Sequence, residues 1–84
     1  MTALQTIETA VKGCQLVRNR KDSPGQYDCK DYYYAGKKKN WIYLDSFTAS
    51  NVMNVYNAVK PEHKAQLEKL SLIRLVDFCW KLIS

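Results

Sequence analysis

Leu4, Ile7, Val11 and Cys14 recur at three- and four-residue intervals near the start of the chain, with Ala10 beside them, which makes one face of a helix apolar. Thr2 and Gln5 stand at the spacing of a capping box, in which each side chain takes up a backbone N–H that the first turn leaves unpaired. Gly13 suits a left-handed stop. These signals predict a helix over 3–12. The next segment, CQLVR (14–18), reads as a short strand, with an extension of the helix as the other option.

The period then changes. NRKDSPG (19–25) gathers residues that favour turns. QYDCKDYYY (26–34) and WIYLD (41–45) are rich in β-formers and carry no helical period, and AGKKKN (35–40) lies between them. Two such runs around a glycine-containing loop predict a β-hairpin. Alternation puts Tyr27, Cys29, Asp31 and Tyr33 on one face, and Asp28, Lys30, Tyr32 and Tyr34 on the other. In the second run Ile42 and Leu44 point into the core, opposite to Trp41 and Tyr43.

Helical spacing returns after Asp45, where Asp45, Ser46 or Thr48 can serve as N-cap. Ala49, Val52, Met53, Tyr56 and Val59 form a stripe for burial, and Asn51, Asn54 and Asn57 form a solvated one. Pro61 breaks the helix at Lys60 and opens a short polar one, PEHKAQLEKL, anchored by Leu67 and Leu70. Ser71 caps a last helix, LIRLVDFCWKLI. Its polar side is a thin strip of Arg74, Asp77 and Lys81, and apolar residues fill the remaining arc of about 220° at 100° per residue. Trp80 and Phe78 lie near opposite borders of that arc. A core this small should struggle to cover both, so the sequence predicts that Phe78 or Trp80 meets a second subunit in a homodimer. The whole pattern predicts one α+β domain over 1–84: an N-terminal helix, a short antiparallel sheet with a β-hairpin, then three helices packed on one face.

Charge changes the picture in one segment. Residues 12–39 hold eight cations and three acids, whereas 40–84 hold five and four, so the net charge of +5 is concentrated around the predicted hairpin. Tyr32, Tyr34, Trp41 and Tyr43 with Lys37, Lys38 and Lys39 combine aromatic faces with phosphate-neutralising charge, and Arg18, Arg20 and Lys21 extend the positive surface. The plain alternative is a stable aromatic hairpin with a loop that keeps an edge soluble.

Other chemistry is sparse. No glycine-framed serine, phosphate-binding glycine loop or helical His-Glu pair is present, and His63 is the only histidine. Cys14, Cys29 and Cys79 are odd in number and widely spaced, which fits reduced packing thiols better than a disulfide framework or zinc. The expectation is a protein with no catalytic residue, no metal and no cofactor. No apolar run reaches the ~18 residues of a membrane span. The start of the chain lacks the pattern of a signal peptide, so the sequence predicts a cytoplasmic protein without a membrane partner.

The second half, from WIYLDSFTAS through VYNAV and its Pro-Glu turn to LIRLVDFCWKL, resembles small proteins encoded by bacteriophages and prophages. The resemblance implies an accessory factor that binds host or phage macromolecules in the host cytoplasm, with no known activity. Two functions follow as expectations. The first is a binding protein that docks its basic aromatic hairpin on nucleic acid or an acidic protein surface. The second is a protein-binding accessory factor or inhibitor of a host protein that uses its apolar last helix.

Overall fold

The computed structural model describes residues 1–33, 36 and 39–82 in full, and the backbone of Ile83. It has the mixed α+β architecture that the sequence predicts, in the order α1 (Ala3–Lys12), β1 (Gln15–Asn19), β2 (Tyr27–Asp31), β3 (Ile42–Leu44), α2 (Ser46–Ala58), α3 (Pro61–Leu67) and α4 (Leu72–Ile83).

Helix α1 starts as its capping box requires: Gln5 N–H donates to the Thr2 hydroxyl at 3.2 Å, and Thr2 N–H donates to the Gln5 side chain at 3.0 Å. Its end differs from expectation. Gly13 has φ of 174°, an extended conformation that leads straight into β1, so no left-handed stop is used. Asp45 is the N-cap of α2 and accepts from Thr48 N–H at 2.6 Å. Pro61 opens α3 in its first turn.

The sheet has the order β2-β1-β3, and β1 is antiparallel to both neighbours. The predicted pairing of the two β-rich runs is therefore corrected. Segment 14–18, extended as β1, lies between them, and the true hairpin is β1–β2. Its turn has Gly25 at φ of 82°, following Pro24, and Gln26 N–H donates to Ser23 O at 3.0 Å. Strands β2 and β3 run parallel to one another, so the connection 32–41 must cross β1.

Register settles the faces. Val17 lies opposite Cys29 and Ile42, and Gln15 opposite Asp31 and Leu44. These residues face the helices. Val17, Tyr27 and Leu44 join Ile7, Ala10, Val52, Leu75 and Cys79 in one buried cluster. Ile42 shares this face but is 44% exposed, against expectation, because it begins a strand at the sheet edge, over an open cleft. Leu16, Arg18, Asp28, Lys30 and Tyr43 occupy the other face. Leu16 is buried there, apart from the main cluster.

The hydrogen-bond pattern also fixes which peptides point outward. Tyr32 N–H donates to Cys14 O, and Arg20 N–H donates to Gln26 O, so even-numbered residues of β1 bond to β2. Gln15 and Val17 then bond to Leu44 and Ile42, and the N–H and C=O of Tyr43 point away from the sheet. On the opposite edge, the outward peptide of Tyr27 is occupied: its N–H donates to Met1 O at 2.7 Å, and its C=O accepts from the Met1 amino group at 3.2 Å.

Candidate docking surface

The basic aromatic residues divide into those committed inside the fold and those left at its surface. The Arg18 guanidinium and the Lys30 ammonium both lie 4.4 Å from the Trp41 ring centroid. Arg18 and Lys30 are diagonal neighbours on the outer sheet face, so the crossing segment lays Trp41 across them. Arg18 also pairs with Asp28 at 3.4 Å, and Arg20 pairs with Asp22 at 3.4 Å and Asp28 at 3.7 Å. All four side chains are substantially exposed, so these pairs add little stability, but they leave both arginines with a carboxylate partner. Lys21 and Lys39 are exposed with no carboxylate at ion-pair distance among the described residues. Tyr34, Lys37 and Lys38 lie outside the described residues.

Tyr32 links a small aromatic group. Its ring centroid is 5.5 Å from that of Tyr33, edge to face, and 4.7 Å from that of Tyr43. Tyr33 is 75% exposed. The Tyr43 hydroxyl is hydrogen-bonded to the Cys14 thiol, and this bond chiefly pushes the phenol up to about 12. The same bond, with one from the Ser46 backbone, holds the Cys14 thiol below its ordinary value. Burial pushes the Cys29 and Cys79 thiols the other way.

The apolar last helix behaves as its pattern predicts. Leu72, Leu75 and Cys79 are buried, and the two flanks of the arc emerge on either side of them. On one flank Phe78 and Leu82 border a groove of about 430 Å³ against Val59, His63, Leu67 and Leu70 of the α2–α3 region. On the other, Ile73, Val76, Asp77 and Trp80 form an i, i+3, i+4, i+7 stripe along a cleft of about 360 Å³. The far wall of that cleft is β3, and Val17 and Leu72 line it between the walls.

Four large apolar side chains are exposed around this cleft. Ile42 (44%) lies on the strand, Ile73 (63%) and Trp80 (38%) on the helix, and Phe47 (70%) packs its ring 6.3 Å from that of Trp80. Tyr43 also borders the cleft, but its ring lies on the outer sheet face against Tyr32. Sequence reasoning finds Trp80 but misses Phe47, Ile42 and Ile73. Phe47 falls outside the buried stripe of α2, and an aromatic residue off the stripe is the signal that points to it. Among the described residues, the carboxylates lining the cleft are Asp45 and Asp77. Both are engaged, Asp45 by Thr48 N–H and Asp77 by Lys81 at 3.0 Å.

No three of the described His, Cys, Asp and Glu residues gather as metal ligands do. Among the described residues, no helix is long and apolar enough to cross a membrane. Comparison with protein-family models, with curated proteins and with solved structures finds no match to this chain.

Proposed function

We propose that this chain is a non-catalytic binding protein that docks a polypeptide on the apolar surface between the free edge of β3 and the Ile73–Trp80 flank of α4. One observation carries the reading. Four large apolar side chains, Ile42, Phe47, Ile73 and Trp80, are exposed around one cleft, beside a strand edge that has no partner strand among the described residues. From their exposures, and side chains of ~150–250 Å² each, they present on the order of 400 Å². That matches the largest apolar patch on a typical monomer, and such patches often mark interaction sites. An edge strand adds main-chain hydrogen bonding to the same surface.

The test is capture on immobilised protein, comparing the unmodified chain with Ile73→Glu at low and high salt, with and without nuclease. A polypeptide retained at high salt, resistant to nuclease and lost with Ile73→Glu supports the reading. Retention that ignores Ile73→Glu removes it.

A second reading has its own observation. Trp41 with Arg18 and Lys30 over its ring offers aromatic and cationic groups on the outer sheet face to nucleic acid or an acidic protein surface, and the exposed Tyr33 adds a further aromatic face. Phosphate binding weakens steeply with salt through counterion release. Replacement of Lys37, Lys38 and Lys39 by Gln should then abolish binding to a short single strand at low salt without unfolding the protein. Unchanged affinity would leave those lysines as solubility residues.

A further inference from the structure

The docking surface has the geometry to receive its own copy, and we infer that its occupant is a second molecule of this chain, joined edge to edge through β3 about a two-fold axis; the inference rests on the docking reading above. The backbone supplies the first argument. Tyr43 turns both its N–H and its C=O away from β1, so two Tyr43 residues facing each other across a two-fold axis exchange both hydrogen bonds. An isologous pairing of this kind needs no second, differently shaped surface. The other edge is partly taken, because Met1 already bonds both outward groups of Tyr27 at the start of β2.

Composition supplies the second argument. Edge strands of monomers are guarded by charged side chains, proline or bulges. Ile42, Tyr43 and Leu44 include none of the first two, and β3 pairs with β1 in unbroken register. Shortness is its only protection, since three residues offer a single outward peptide. Two hydrogen bonds alone would not hold a dimer. The flanking apolar surface is therefore needed, and its size fits. The roughly 400 Å² presented by the four apolar residues is about half of the ~800 Å² per partner of a standard interface, with the strand pairing and a polar rim to complete it. Charge does not oppose the contact. The cleft's two carboxylates already have partners, so no unmatched charge enters the interface.

Sedimentation of the full chain at micromolar to submillimolar concentration tests the inference. The unmodified chain should sediment at twice its mass of 9.8 kDa. Tyr43→Pro should weaken dimerisation tenfold or more, because proline removes the outward N–H and leaves the β1–β3 bonds in place. Tyr43→Val keeps that N–H and should retain the dimer. Ile73→Glu should also give monomer, and its site on an exposed helix face keeps the test usable if the proline variant fails to fold. A monomeric unmodified chain overturns the inference, as does a dimer indifferent to both Tyr43→Pro and Ile73→Glu. A monomer that still captures another polypeptide in an Ile73-dependent way gives the cleft to a foreign strand and leaves the docking reading standing. If that capture is also insensitive to Ile73→Glu, both fall.

Discussion

The hydroxyl of Tyr27 accepts a buried hydrogen bond of 2.9 Å from the backbone N–H of Leu72. One side chain thus ties the edge strand β2 to the first turn of α4, across forty-five positions of sequence. The N–H of Leu72 belongs to the group that a helix cannot satisfy within itself, and at this depth water does not replace the phenol. Tyr27→Phe should therefore lower stability by about 1–3 kcal/mol, the cost of a buried donor left without an acceptor. Denaturant unfolding measures it. A loss no larger than that of Tyr56→Phe, whose hydroxyl bonds Glu68 at the surface, would show that the tie is weak.

Leu75 and Phe78 separate core from surface on one helix. Leu75 is fully buried, whereas Phe78 stands half in solvent over the α3 groove. Leu75→Ala should cost about 2–5 kcal/mol, and Phe78→Ala clearly less than the ~3–5 kcal/mol of a buried phenylalanine. Parallel denaturant titrations decide the comparison.

Asp45 holds the start of α2 through Thr48 N–H. Asp45→Ala should destabilise by about 1 kcal/mol, and Asp45→Asn, which keeps an acceptor, by much less. Thermal unfolding of the two variants side by side checks the cap.

The Cys14–Tyr43 bond makes a kinetic prediction. At neutral pH, Cys14 should react with iodoacetamide faster than Cys29 or Cys79, since only its thiol is held below the ordinary value. Tyr43→Phe should slow it. Peptide mapping after timed alkylation reads all three sites together.

Tyr43 itself gives a pH dependence. Its folded-state value of about 12 lies above the ~10 of an unfolded tyrosine, so the folded state holds the proton longer. The stabilisation from this group is complete below about pH 10 and is lost as the pH rises toward 12. Tyr43→Phe should flatten that part of the stability curve. An ultraviolet titration should show late tyrosinates from Tyr43 and from Tyr56, which its bond to Glu68 also raises, and the variant should lack the first.

Several of these features are legible in the residues alone, because their causes are local. The Thr2–Gln5 capping box, the proline start of α3 and the alternation along β2 each depend on neighbours within a few positions. The strand order does not. Nothing in CQLVR says that it will stand between the two β-rich runs, and the glycine loop at 35–40 carries the same signal whether it closes a hairpin or crosses a strand. The candidate surface divides in the same way. The breadth of the apolar arc on α4 exposes Trp80 and Phe78 to prediction. The meeting of Phe47 with Trp80, and of Arg18 and Lys30 with Trp41, depends on the packing of elements distant in sequence.

The crossing of β1 by the 32–41 connection constrains the order in which the sheet can assemble. The β1–β2 hairpin closes a short loop and can form early, whereas β3 must wait for a chain reversal that carries Trp41 over the finished hairpin. Contacts that close longer loops form later, and the units that form last are commonly the first to open. The β3 edge is thus the part of the sheet most readily released. Amide exchange should find the strand bonds of Ile42 and Leu44 less protected than those between Leu16 and Lys30. A partner that adds a strand beside Tyr43 would then act as the clasp of the sheet, slowing exchange at β3 without touching the hairpin.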